Sequence, residues 1–391
     1  MARILFAWEL GGGTGYADRL RAIADAVALE GHEPVFAIRD LIGTAEFFRD
    51  RPWIVMQSPL AVGQLHPTNP NFVPGSYADL LAVNNFLDPE HLYRLVHAWQ
   101  MLFLALQPSL IVGEYAPVAT VAAHGRIPMI VTGHGYLVPP VERPEFPIFD
   151  AGAPRFAPQE RLVETMRAVQ RRLGGAVADT LTEVIGGARH FVTSFAETDP
   201  YAAFRLRAHA GPLERYDPPE PPSGPPSFHA YLSASHPRIR MLLESLVESG
   251  VRGGAYIKRA TPEIRQYLSE RGVTVYDRPP PLAEAVKAAS VVVHHGGAST
   301  LAAAMGAGRP QLLWPEVADQ QVSANTIDRL GISVHGRRRL HNAAQASAAL
   351  REMAQSGEAT TRAMALARDI QSRGEHGSLG AITAAAREFL G

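Results

Sequence analysis

Apolar and polar positions alternate along the chain in short blocks that read as strands and helices in turn. Ile4–Trp8 is an apolar run of strand length, followed by a glycine loop over Gly11–Gly15. Tyr16–Glu30 has helical periodicity, with Leu20, Ile23, Ala24 and Val27 on one face, and Gly31 stands where a helix C-cap belongs. Pro34–Ile38 is a second strand. Further on, Pro89–Gln107 reads as a helix, Leu110–Val112 as a strand, Pro117–His124 as a helix and Met129–Val131 as a strand. Pro158–Arg172 and Ala176–Gly187 follow as two more helices.

The segment Tyr216–Pro226 is dense in proline, which removes backbone donors and favours extended chain, so neither helix nor sheet runs through it. It divides the chain into a domain over 1–216, a linker over 217–226 and a domain over 227–391. Beyond the linker the alternation restarts. Strands are expected at Phe228–Leu232, Gly254–Ile257, Val273–Tyr276, Val291–His294 and Gln311–Leu313. Helices are expected at Pro237–Glu248, Pro262–Arg271, Leu282–Ala288 and Thr300–Ala307, and the alanine-rich stretch His341–Leu390 is helical. Its last helix is a candidate to pack back on the N-terminal domain. Strands alternating with helices mean parallel sheets covered on both faces: two doubly wound α/β domains. Such domains bind ligands outside the carboxyl ends of their strands, here in a cleft between the two sheets.

Composition narrows the function. The 391 residues carry a formal net charge of −1, so no global basic field exists to hold a nucleic acid, although a local phosphate site needs only a few donors. The absence of cysteine excludes a disulfide framework and any cysteine metal site or nucleophile, and fits a cytoplasmic protein. No apolar run is long enough to span a membrane, and the apolar start is too short for a signal-peptide core. The histidines show no metal-binding spacing, so neither a metal nor another cofactor is implied.

The chemistry concentrates in Val291-Val-Val-His-His-Gly-Gly-Ala-Ser-Thr300. A buried strand enters a small-residue loop that opens directly into a helix. Gly296 and Gly297 allow close backbone approach, Ser299 or Thr300 is a candidate cap, and His294 or His295 is a candidate phosphate donor. Helix-start amides and the helix dipole favour an anion there. One strand later, Asp319 and Gln320 are expected in a polar loop on the same sheet edge, a carboxylate–amide pair suited to adjacent sugar hydroxyls.

His295-Gly-Gly-Ala-Ser-Thr300, Gly308-Arg-Pro310 and Asp319-Gln320 resemble the donor signature of GT-B glycosyltransferases of family 1 type, the bacterial antibiotic and UDP-glucuronosyltransferase-like enzymes. Phe6–Tyr16, Glu30–Phe36, Pro108–Val112, Glu114–Pro117 and Ile127–Gly135 resemble, more weakly, the family's acceptor domain. The resemblance implies two Rossmann-like domains and inverting transfer of a sugar from a UDP- or dTDP-sugar to a small-molecule acceptor. It implies a donor site drawn from Gly13, Arg278, His295, Gly296, Gly297, Ala298, Ser299, Thr300, Glu316, Asp319 and Gln320. Proline- and aromatic-rich Pro52–Phe72 and Val138–Phe149 suggest an apolar or lipid-like acceptor.

Two positions depart from that pattern. The family places a histidine, its general base, directly after the N-terminal glycine loop, and this chain has Tyr16. A phenol titrates near ~10 and is a poor base at neutral pH. Asp18 and His134 are then alternative bases, and Glu114 a group to orient one, while Glu9 faces the cleft or binds the glycine-loop amides. Where many relatives stack a tryptophan on the nucleobase, this chain offers Arg278, whose guanidinium also stacks. Tyr16 keeps open a catalytically silent nucleotide-sugar binder. Gly11–Gly15 with Asp40 keeps open an NAD(P)-dependent oxidoreductase, although the Gly-x-Gly-x-x-Gly spacing fails at Tyr16.

Overall fold

A computed structural model of the chain describes residues 1–61 and 72–391. They form two compact units. Unit 1 holds 1–196, 200–213 and 377–391, and unit 2 holds 197–199 and 214–376.

Unit 1 is built on a six-stranded parallel sheet of β1 (Arg3–Ala7), β2 (Glu33–Ile38), β3 (Ile54–Gln57), β4 (Leu110–Glu114), β5 (Met129–Gly133) and β6 (Arg189–Val192). The spatial order is β3-β2-β1-β4-β5-β6, so the chain reverses direction beside β1. The central strands are buried almost throughout and mainly apolar because helices cover both faces. Phe6 stacks on Phe36 across β1 and β2, with ring centres 4.9 Å apart. The helix Gly15–Leu29 buries Leu20, Ile23, Ala24 and Val27 against the sheet, and Gly31 follows it at φ 84°. The last helix, Leu379–Leu390, belongs to this unit. Arg387 pairs with Glu30, Arg189 pairs with Glu388, and the amides of Gly377 and Ser378 donate to the Pro212 carbonyl.

Unit 2 repeats the plan with β7 (Ser227–Ser233), β8 (Arg252–Lys258), β9 (Thr274–Val275), β10 (Val291–His294), β11 (Gln311–Leu313) and β12 (Ser333–His335). Their order is β12-β11-β10-β7-β8-β9, all parallel. One face carries Phe228, Ala230, Leu232, Ala255, Ile257 and Val293 into the unit's main core. The proline-rich segment has no regular structure, yet it is tied to this unit. Buried Arg309 donates to the carbonyls of Glu220, Ala307 and Lys287, each at 2.7 Å.

Several expected elements differ. Ala176–Gly187 forms only the short helix Leu181–Ile185, because Gly174 takes a left-handed turn and the residues after it run irregularly. His341–Leu390 is three helices, Ala343–Gln355, Gly357–Arg373 and Leu379–Leu390, broken at Ser356 and at left-handed Gly374. Of the expected acceptor segment Pro52–Phe72, residues 62–71 fall outside the described residues. In Val138–Phe149, Val138 and Phe146 turn inward, Phe146 meeting the Tyr77 ring edge-on at 5.2 Å.

Candidate functional site

In unit 2, β10 is wholly buried and delivers two histidines with different fates. His294 is fully enclosed: its Nδ1 accepts from the Gly296 amide at 3.1 Å and its Nε2 meets Gln311 Oε1 at 2.9 Å. Burial, with His295 beside it, pushes its pKa down to about 3, so it is a neutral latch between β10 and β11. Both nitrogens are used inside the protein, which removes His294 as a phosphate donor. His295 Nδ1 accepts from the Gly297 amide at 3.2 Å. That bond fixes the tautomer, so Nε2 carries the proton and is the ring's remaining donor. Burial, then the charges of Lys258 and His236, push this imidazole down to about 4. The turn depends on Gly296, at φ 85°, a conformation that side chains with a Cβ rarely adopt.

The helix Ala298–Gly306 begins after Gly297 as its N-cap, with no side-chain cap. Ser299 and Thr300 therefore lie inside the first turn, contrary to the expected capping role. The amides of Gly296 and Gly297 are taken by the two histidines, so an anion would be met by the first-turn amides beyond them.

Asp319 and Gln320 lie in the first turn of a helix, Ala318–Asp328, and not in a loop. Gln320 Oε1 accepts from the Glu316 amide at 2.9 Å and the Val317 amide at 3.4 Å, which holds the helix entry closed. The two segments meet: a Cβ built on Gly296 would stand 3.4 Å from the Gln320 carbonyl oxygen. Glu316 is half-buried. Burial raises its pKa and the Lys258 charge opposes the rise. Arg278 is exposed in the turn after β9. The ring next to the sheet there is that of Tyr276, which lies over Gly254 and 6.1 Å from His229.

In unit 1 the candidate groups turn inward. Tyr16 is 5% exposed, stacked on Trp8 at 5.2 Å and 19°, and tilted against Tyr115 at 6.0 Å. Its hydroxyl sits under the glycine loop: at Gly11, φ 81°, a Cβ would come within 2.6 Å of Tyr16 Oη. The exposed Gly13 contacts nothing at its Cβ position. Glu114, at the end of β4, is 1% exposed and not a solvated loop carboxylate. It accepts from Arg19 Nε at 2.7 Å. Burial raises its pKa and Arg19 opposes the rise. The Arg19 guanidinium also lies 5.3 Å from the Tyr16 ring centre. Asp18 pairs with Arg21 at 2.9 Å, on the surface. His134 follows β5, mostly buried, its ring parallel to Tyr136 at 6.3 Å and 12°. Glu9 binds neither the glycine-loop amides nor solvent. It accepts from the amides of Val118 and Ala119, capping the helix Pro117–Ala123. Burial drives its pKa up to about 8 against those two bonds.

Among the described residues no cluster of three metal-ligating side chains occurs, and no helix is long and apolar enough to cross a membrane. Asp40, the acid that the oxidoreductase alternative would use, is exposed and accepts from the Gly43 amide at 2.8 Å, a turn contact.

Residues 271–378 match the family model described as "Erythromycin biosynthesis protein CIII-like, C-terminal domain". The chain superposes over 100% of its length on 98% of the calicheamicin glycosyltransferase CalG4, with a TM-score of 0.70 at 17% identity. It has the GT-B fold. A second GT-B structure, glycosyltransferase VinC in complex with dTDP, covers 99% of both chains with a TM-score of 0.66 at 15% identity. A sterol 3-beta-glucosyltransferase of Yarrowia lipolytica is 38% identical over 97 residues, which is 25% of this chain and 6% of that enzyme. The chain spans 6 to 12% of the length of the curated relatives it matches. Within this GT-B chain the matched domain runs from before β9 to the end of the Gly357–Arg373 helix, and so contains the His295 turn and the Asp319–Gln320 helix start. Two groups near the sites escaped sequence reasoning. Lys258 closes β8, and its signal was a lone lysine ending a buried strand. Arg19 engages Glu114, a pairing across 95 residues that no local pattern reveals.

Proposed function

We propose that this protein transfers a sugar, with inversion, from a dTDP- or UDP-sugar to a small apolar acceptor. The observation that carries the reading is the edge of unit 2 where the His295 turn meets the Asp319–Gln320 helix start. Neutral His295 offers Nε2–H to a phosphate oxygen, next to first-turn amides and the positive end of a helix dipole. Asp319 and the amide nitrogen of Gln320 take sugar hydroxyls. The dTDP held by VinC, a GT-B neighbour, and the EryCIII-like domain match support a nucleoside-diphosphate donor. Stabilising the departing diphosphate is the electrostatic term such a site supplies.

Deprotonation of the acceptor falls to unit 1. Both carboxylate candidates, Glu114 and Asp18, are engaged by arginines, and the Tyr16 ring is enclosed. We assign the general base to His134, since an imidazole suits proton transfer near neutral pH. Binding without transfer is the second reading, favoured by the enclosed tyrosine at the position after the glycine loop. A panel of dTDP-, UDP- and GDP-sugars, read by thermal shift and then by donor turnover with apolar acceptors, tests both. Stabilisation by none of the donors overturns the reading. Stabilisation without turnover across the panel favours the binder.

A further inference from the structure

The carboxyl edge of the unit 2 sheet holds a cation that the site described above does not use. β8 ends at Lys258, which is in register with Ser233 at the end of β7. Side chains alternate along a strand, so Lys258 stands on the same face as Tyr256. Tyr256 stacks on Tyr231 at 5.5 Å and 14°, and Tyr231 packs against His295 at 5.3 Å. A row of rings thus crosses β8 and β7 to reach the His295 turn, and Lys258 stands one step beyond it toward the strand ends.

This stretch of the face is open. Tyr231, Ser233, Tyr256 and Lys258 are all half-buried, whereas Leu232 and Ile257 between them are buried on the other face. The Lys258 ammonium makes no ion pair or hydrogen bond with the described residues, although Lys287, the other lysine of the chain, and many arginines do. Its charge nevertheless reaches both His295 and Glu316, which follow the ends of β10 and β11. A partly desolvated cation facing a neutral imidazole and a helix N-terminus gathers positive potential on one spot, and such a spot favours an anion.

We infer that Lys258 is a donor-binding residue, an ammonium that contacts the diphosphate opposite His295 and balances the charge released when the sugar leaves. The inference rests on the glycosyl-transfer reading. In that step the bond from the anomeric carbon to the diphosphate oxygen breaks, and a bond to the acceptor oxygen forms. The acceptor proton goes to the base in unit 1, and the bonding pair stays on the diphosphate. Lys258 keeps its proton throughout and offsets the added negative charge.

The test is calorimetry on the full chain with dTDP and UDP, and with dTMP and UMP as controls, for wild type, Lys258→Met, Lys258→Arg and His295→Ala. Lys258→Met should weaken binding of the preferred diphosphate by about 10- to 100-fold, the range of a charge-assisted hydrogen bond. The matching monophosphate should lose much less, and Lys258→Arg should retain most of the affinity. Lys258→Gln serves the same purpose if the methionine variant does not fold. Equal affinity of wild type and Lys258→Met for the diphosphate, with His295→Ala weakened, overturns the Lys258 assignment and leaves the donor site standing. Failure of wild type to bind either diphosphate at millimolar concentration overturns both.

Discussion

The two units share a sheet order and a parallel plan, yet their carboxyl edges are organised in opposite ways. At the unit 2 edge, internal hydrogen bonds hold one end of each group: Nδ1 of His295 and Oε1 of Gln320 accept from nearby amides, so Nε2–H and a side-chain amide nitrogen are the donors outside those bonds. At the unit 1 edge the polar ends themselves are consumed. Glu9 closes a helix, Glu114 clasps Arg19, and Tyr16 lies in a stack of rings. A charged or diphosphate-bearing ligand demands fixed, aimed donors, because buried charge without partners is strongly unfavourable. An apolar acceptor asks mainly for shape and one proton acceptor. On the proposed function, the contrast would give the exacting recognition to unit 2 and leave unit 1 a single chemical duty.

That division is broken most directly at His134. If it is the base, His134→Ala should lower transfer by ~10²–10⁴-fold while leaving donor affinity unchanged. Kinetics with one acceptor and calorimetry with the donor measure the two halves separately. Tyr16→Phe should change transfer little, since the Tyr16 ring is enclosed. Loss of transfer in Tyr16→Phe with none in His134→Ala would move the base to the phenol.

The inward character of unit 1 has a signature in pH. The folded pKa of Glu9, about 8, lies above its ordinary value of 4.5. Between those values the folded chain holds a proton that the unfolded chain has released, so stability falls as pH rises through the window. The slope approaches ~1.4 kcal/mol per pH unit for one fully shifted group. Glu9→Gln cannot titrate and should flatten the fall between pH 5 and pH 8 in denaturant melts. An unchanged slope would show that Glu9 is ionised in the folded state, held by the amides of Val118 and Ala119.

What was legible in the sequence follows the same line between buried and exposed. Central strands such as Ile4–Trp8 and Val291–His294 are continuous apolar runs, because helices cover both faces, and periodicity finds them. The unread strands β3, β6 and β12 all lie at sheet edges, where Ile54–Gln57 is partly exposed and Arg189–Val192 is half polar and partly exposed. Asp319 and Gln320 read as a polar loop because they, with Gln321, Ser323 and Asn325, dilute the apolar stripe of the helix Ala318–Asp328. The turn after β10 is readable as a motif, and the family resemblance points to His295 in it. That His294 is locked inward is not readable, since that depends on Gln311 lying across the neighbouring strand.

That pair sharpens the comparison further. His295→Ala should weaken nucleoside-diphosphate binding by about 1.5–3 kcal/mol with little change in melting. His294→Ala should do the reverse. It removes a buried ring and strands Gln311, which costs about 2–4 kcal/mol of stability. Melting curves and calorimetry on both variants check the split. Equal effects on both readouts would mean that the two imidazoles act as one structural unit.

The smallest effect expected is at Asp319 and Gln320, and it separates two roles that share one helix turn. Asp319→Asn keeps the shape and removes the carboxylate, so it should weaken the intact nucleotide sugar by about 0.5–1.5 kcal/mol and leave the bare nucleotide alone. Gln320→Ala also frees the amides of Glu316 and Val317, which its carbonyl holds. The helix entry lies against the Gly296 turn, so loosening it should disturb the phosphate side as well, and both ligands should lose affinity. Calorimetry with a nucleotide sugar and its parent nucleotide gives the two differences side by side. If Asp319→Asn costs both ligands equally, the carboxylate serves the turn and the sugar is held elsewhere. If Gln320→Ala spares the bare nucleotide, its amide nitrogen meets the sugar and the cap contributes nothing to the phosphate turn.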